Sequence, residues 1–165
     1  MKKIINLFLI MLMALSLFGC TDPKDTKAQI TDKNGNNLEL SVKEIIKLTE
    51  NDDDKFYKTY YDGTAKISGT VEKVIEGDEI IQDSTMKLKN KEYRVIYLKE
   101  GWAIRVIQAN HPETELLVPG DKIVAKGSIE SLDDGYILIG RISFRAGYGI
   151  KIPACEDNVE VRILD

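Results

Sequence analysis

The stretch that most constrains this chain is TAKISGTVEKVI over residues 64–75. Ala65, Ile67, Gly69 and Val71 alternate with Lys66, Ser68, Thr70 and Glu72, the period of two expected of a strand with one wet face. After Lys73 two apolar residues, Val74 and Ile75, stand side by side, so the phase changes, and this predicts a bulge or bend. A long strand bent in its middle lets a small sheet curl until it meets its own far edge. The expectation is a small closed barrel.

The first 19 residues stand apart from that domain. Met1-Lys2-Lys3 is a short cationic start, and residues 4–18 are apolar apart from Asn6 and Ser16. That run is shorter than the roughly 20 residues of a membrane span and has the form of a secretory signal. It closes with Leu17-Phe18-Gly19-Cys20, which resembles the lipobox of bacterial lipoproteins. The resemblance implies cleavage before Cys20, a diacylglyceryl thioether on its sulfur and an acylated new amino terminus. Several acyl chains on one residue suffice for stable attachment to a bilayer. The domain is then expected outside the cytoplasm, on the cell membrane or the outer membrane.

The 165 residues carry 23 basic and 27 acidic side chains, a formal charge of −4. Loss of residues 1–19 removes Lys2 and Lys3 and no acid, which leaves −6. An acidic domain repels phosphate backbones, so nucleic acid is a disfavoured partner. With Cys20 lipidated only Cys155 remains of the two cysteines, and one thiol closes no internal bridge.

Residues 20–40 are polar and contain Pro23, and they read as the lipidated cysteine followed by a flexible tether, with a little β-structure near Ala28 to Thr31 around the Asn34-Gly35 turn signal as the alternative. Ser41-Val42-Lys43-Glu44 has capping-box spacing. Val42, Ile45, Ile46, Phe56, Tyr57, Tyr60 and Tyr61 then recur at helical intervals, across the polar run of residues 50–54, as one helix or two. After the long strand, residues 76–78 read as a turn and residues 79–90 as a polar excursion. Residues 91–99 and 102–109 form a hairpin about Glu100-Gly101. A proline-bearing connection covers residues 110–120. Strands follow over residues 122–132, 136–145 and 159–164, the second with apolar residues on both faces.

This succession resembles the OB fold, a five-stranded Greek-key barrel. More narrowly, Glu50-Asn51, residues 56–60, Ile67-Ser68-Gly69-Thr70-Val71, Gly101-Trp102-Ala103-Ile104, Pro119-Gly120-Asp121 and Lys126-Gly127 resemble the tRNA-anticodon-like OB domain of uncharacterised bacterial lipoproteins. The resulting division is a signal peptide over 1–19, a tether over 20–40, a helix plus OB-fold domain over 41–146 and a C-terminal extension over 147–165. The fold class is mainly β.

The resemblance implies ligand binding across the second and third barrel strands, where rings stack on flat ligand faces. Tyr93, Tyr97, Trp102 and Arg105 are the candidate ligand-binding residues, although Tyr93 and Tyr97 keep phase with Val95 and on that ground read as core. Tyr136 and Phe144 complete the aromatic set. His111, the single histidine, stands beside Pro112-Glu113 and reads as a surface-loop residue, because no local motif supplies a nucleophile and an orienting acid. Asp52-Asp53-Asp54 lacks calcium-loop spacing and reads as a solvated helix face or a break. No motif requires a metal or a cofactor. The expected function is a lipid-anchored, non-enzymatic binding module of the cell envelope that takes a peptide, a glycan or a protein partner. A structural lipoprotein is the alternative, and a hydrolytic or metal-dependent enzyme is less favoured.

Overall fold

The computed structural model describes residues 22–49, 52–79, 82–83, 86–87, 91–140, 142–145 and 154–164. The expected signal over residues 1–19 and the expected lipidation site Cys20 lie outside these residues. A 3-10 turn, Pro23–Asp25, leads into β1 (Lys27–Thr31), β2 (Asn37–Ser41), α1 (Val42–Thr49) and α2 (Asp53–Thr59). Then come β3 (Thr64–Glu79), β4 (Gln82–Asp83), β5 (Met86–Lys87), β6 (Lys91–Leu98) and β7 (Trp102–Ile107). Two 3-10 turns, Gln108–Asn110 and Pro112–Leu116, lead to β8 (Lys122–Asp133), β9 (Tyr136–Ile139), β10 (Ile142–Arg145), β11 (Ala154–Asp157) and β12 (Glu160–Leu164).

The protein is mainly β. Its eight-stranded mixed sheet runs β12-β8-β9-β7-β6-β3-β1-β2, and β8 also pairs with β3. That extra pairing closes β3, β6, β7, β9 and β8 into a ring, antiparallel everywhere except at β7–β9. Closure depends on β3. Its first half, from Thr64 to Thr70, pairs with β8, and from Val71 onward it pairs with β6. The register shifts between Val71 and Lys73, so the bend lies slightly earlier than the phase change after Lys73 predicts. The amide of Thr70 donates to the Glu100 carboxylate at 2.9 Å. The Val71 amide donates to the Asp121 carbonyl at 2.8 Å, and Gly120 donates to the Val71 carbonyl at 2.9 Å. These bonds supply partners where the ladder is interrupted. Beyond the bend Gly77 and Asp78, expected as a turn, pair with Tyr93 and Glu92 and carry the strand to Glu79.

Alternation puts Ile67, Val71, Ile96, Leu98, Trp102, Ile104, Ile123, Ile129, Ile137 and Ile139 into one buried cluster within the ring. Val42, Ile45, Phe56 and Tyr60 join it from the helices. The capping box of α1 forms as its spacing predicts: the Glu44 amide donates to the Ser41 hydroxyl at 3.2 Å, and the Ser41 amide donates to the Glu44 carboxylate at 2.8 Å. There are two helices rather than one, because Asp52 caps α2 by accepting from the Lys55 amide at 3.3 Å.

Three expectations are corrected. The flexible tether over residues 20–40 is ordered from β1 onward: β1 and β2 form a hairpin, and β1 adds to the edge of β3 with Gln29 opposite Lys66. Ala28 and Ile30 are buried there, and the Asp32 carboxylate locks the turn by accepting from the amides of Asn34 at 2.8 Å and Asn36 at 2.9 Å, and from the Asn36 side chain at 2.9 Å. The Asn36 side chain and amide hold the Asp32 carboxyl below the usual carboxylate range. Second, the strand expected over residues 136–145 breaks at Gly140, whose φ of 106° turns β10 away to pair with β11.

Third, His111 is buried rather than on the surface. The connection after β7 folds back under the ring, where Arg94 donates through Nε to Glu76 at 3.0 Å and through Nη1 to the Thr114 hydroxyl at 3.3 Å. Thr114 in turn donates to the His111 carbonyl at 2.7 Å. A buried guanidinium is tolerated when its donors are occupied in this way.

Replacing Trp102 with alanine empties the largest fully buried side chain of the core. The expected loss is about 3–5 kcal/mol of folding free energy, measured as a lower denaturant midpoint with an unchanged slope.

Candidate functional site

The register of β6 and β7 decides which candidate residues face the same way. Tyr93, Val95 and Tyr97 stand opposite Ile107, Arg105 and Ala103 on the outer face of the ring, and Ile96 stands opposite Ile104 on the inner face. Tyr93 and Tyr97 are therefore half-buried on the outside and not core, which corrects the expectation drawn from their phase with Val95. Trp102, by contrast, is core and is removed from the set of ligand-binding candidates, because it is 1% exposed inside the ring.

The outer face is not an open aromatic platform. The Tyr97 and Tyr136 rings meet edge to face at 4.9 Å. The Lys73 ammonium sits 4.4 Å from the Tyr97 ring centre, and Lys24 sits 5.1 Å from that of Tyr136. The Tyr136 hydroxyl donates to the Glu72 carboxylate at 2.8 Å. That bond, with burial adding to it, pushes the Tyr136 phenol up to about 12. Arg105 pairs with Glu130 at 3.4 Å, while its Nε is buried without a hydrogen-bond partner among the described residues. Ala103, Ile107 and Leu138 on the same face are buried, and β11 runs beside β7. The chain's own cations and its own strands cover most of what a ligand would stack on.

The other candidates have local structural roles. His111 Nδ1 lies 2.9 Å from Glu113 Oε1. Burial raises the Glu113 carboxyl, and the bonds from His111 and from its own amide more than offset this and leave it low. Asp52 caps α2, and Asp54 pairs with Lys58 at 3.6 Å. Cys155 lies on β11 opposite Phe144. Among the described residues no three acidic, histidine or cysteine side chains gather as a metal site, and no helix is long and apolar enough to cross a membrane.

A groove of about 1030 Å³ lies elsewhere, on the polar face of the five strands β2-β1-β3-β8-β12. Its residues fall into rungs set by register. One rung runs Glu39–Gln29–Lys66–Lys126–Glu160 across all five strands. The next runs Asn37–Thr31–Thr64–Ser128, with the Thr31 hydroxyl bonded to Asn37 Oδ1 at 2.9 Å and the Asn158 amide bonded to the Ser128 hydroxyl at 2.6 Å. Lys66 and Lys126 are direct cross-strand neighbours at the centre, both exposed, and neither has an ion-pair partner among the described residues. Like charges placed opposite one another, with Cβ atoms about 5 Å apart, destabilise a sheet. An anion laid across the pair relieves that repulsion. Alternation marks Lys66 and Lys126 as wet-face residues of their own strands, but their adjacency comes from the pairing of β3 with β8 and is not visible in the sequence. No family model, no curated protein and no solved structure matches this chain.

The Tyr136 bond has a pH signature. The folded state holds the phenol protonated above its ordinary value of 10.0, so the bond's stabilisation is complete below pH 10 and is lost as pH rises through about 12. Ultraviolet titration of the phenolate band should show one tyrosine ionising near 12, and Glu72→Gln should move that step back toward 10.0.

Proposed function

We propose that the protein is a lipid-anchored, non-enzymatic binding module of the bacterial cell envelope, that its strand ring is an OB fold, and that the groove on β2-β1-β3-β8-β12 holds an extended acidic glycan. The closed ring of five strands with a single parallel pair supports the OB reading. The anchorage reading is supported by the apolar run over residues 4–18 and by Leu17-Phe18-Gly19-Cys20, which resembles a lipobox.

The observation that carries the ligand class is the Lys66–Lys126 couple on the groove floor, without an ion-pair partner among the described residues. Two ammonium groups suit carboxylates or phosphates. The hydroxyls of Thr31 and Thr64 and the Asn37 amide in the groove offer both donors and acceptors, which is what sugar hydroxyls require. A second reading has its own support. β2 and β12 end the sheet, each paired on one side only, and an edge strand accepts a peptide from a protein partner by strand addition.

The test is a chemical-shift titration of the signal-free protein with uronic-acid oligomers, neutral glycans and acidic peptides. Acidic oligomers should shift residues around Lys66 and Lys126. Lys126→Glu should weaken that binding at least about tenfold, as expected for loss of one charge-assisted bond. The same change puts an acid opposite Lys66 but also opposite Glu160, so the two effects offset and folding stability should change by no more than a few tenths of a kcal/mol. Shifts confined to the amides of β2 or β12 on adding peptide would favour strand addition. Shifts centred on Tyr93, Tyr97 and Arg105 would move the site back to the outer face of β6 and β7.

A further inference from the structure

The folded domain begins much closer to Cys20 than its polar leader suggests. A flexible tether over residues 20–40 would let the domain range about 70 Å from the bilayer. Instead Lys27 already pairs with Ser41 in the sheet, seven residues after Cys20. Fully extended, those seven steps span about 25 Å. Asp22, two steps from the cysteine, lies within about 7 Å of it along the chain.

The intervening residues are also held against the domain. Asp22 caps the 3-10 turn by accepting from the Lys24 amide at 3.0 Å. Lys43 at the start of α1 pairs with Asp22 at 3.4 Å and with Asp25 at 3.3 Å. On the other side of the turn Lys24 reaches the Tyr136 ring, which leans on Tyr97 and, through Tyr97, on Lys73. Each of these contacts is exposed and weak alone. Three of them, at Asp22, Lys24 and Asp25, act within four consecutive residues whose downstream end leads into β1.

We propose that residues 22–25 are a strap rather than a spacer, and that they hold the face formed by the start of α1, Tyr136, Tyr97 and Lys73 against the lipid headgroups. This rests on acylation of Cys20, the anchorage put forward above. The face has interfacial chemistry in its tyrosines, which combine an apolar ring with a polar tip, and in Lys24 and Lys73, whose stems lie over those rings. The turn between β1 and β2, at the far end of the strand that starts at Lys27, then points away from the surface.

The experiment uses the full chain, processed by its host, purified and reconstituted into phosphatidylglycerol-containing vesicles that carry a headgroup quencher. In a Cys155→Ser background a fluorophore is placed at Lys73→Cys or at Asn34→Cys. The label at 73 should be quenched several-fold more than the label at 34, and a 20-residue glycine-serine insert between Thr21 and Asp22 should erase the difference. Equal quenching at both positions in acylated, vesicle-bound protein would overturn the strap and leave the anchor standing. A mass spectrum without acyl chains on Cys20, together with unchanged membrane fractionation of Cys20→Ala, would overturn the anchor and the strap with it.

Discussion

The ring of strands closes because β3 changes partner at one point along its length. Up to Thr70 one hydrogen-bonding edge of β3 belongs to β8, and from Val71 the opposite edge belongs to β6. A flat strand of this length could not serve both without leaving backbone groups unpaired at the crossing. The crossing is built from the ends of two turns: Glu100, from the turn between β6 and β7, receives the Thr70 amide, while Gly120 and Asp121, from the turn before β8, bracket Val71. A side chain on Gly69 would collide with the Glu100 carboxylate that makes this possible. Three segments remote in sequence therefore fix one bend, and the bend fixes the barrel.

The bend was visible in the sequence because alternation fails locally, where Val74 follows Lys73 and precedes Ile75. The capping box of α1 was visible for a similar reason, since both of its bonds lie within four residues. The hairpin β1–β2 was visible only in part, through the Asn34-Gly35 turn signal and the alternative of β-structure near Ala28 to Thr31. Its strands are five residues each and bury few side chains, and its place in the fold depends on an edge of β3 that forms more than thirty positions later. Short strands of that kind carry little intrinsic preference and take their stability from the neighbour they dock on. Gly140 misled in the opposite direction, because a glycine inside an apolar run is compatible with a continuous strand until its φ is known.

The candidate site followed the same division. Faces were legible, and neighbours were not. Tyr93 and Tyr97 share a face with Val95, but that face is the outer one, a matter of which side of the ring closes over Ile96 and Leu98. Trp102 was attractive as a stacking residue and is instead the bulkiest member of the core. Nothing local marks the Lys66–Lys126 couple, which exists only because β3 and β8 pair in one register.

That register ties the groove to the core. In β3, Ala65 and Ile67 point inward from either side of Lys66, and in β8, Ala125 and Gly127 flank Lys126 in the same way. A slip of one residue in either strand would turn its lysine into the ring and its apolar neighbours into water. Packing inside therefore holds the two lysines directly opposite one another outside. The like-charge contact that a sheet normally avoids is thus held in place by the barrel's interior, with Gln29 flanking Lys66 and Glu160 flanking Lys126 at the two ends of the couple.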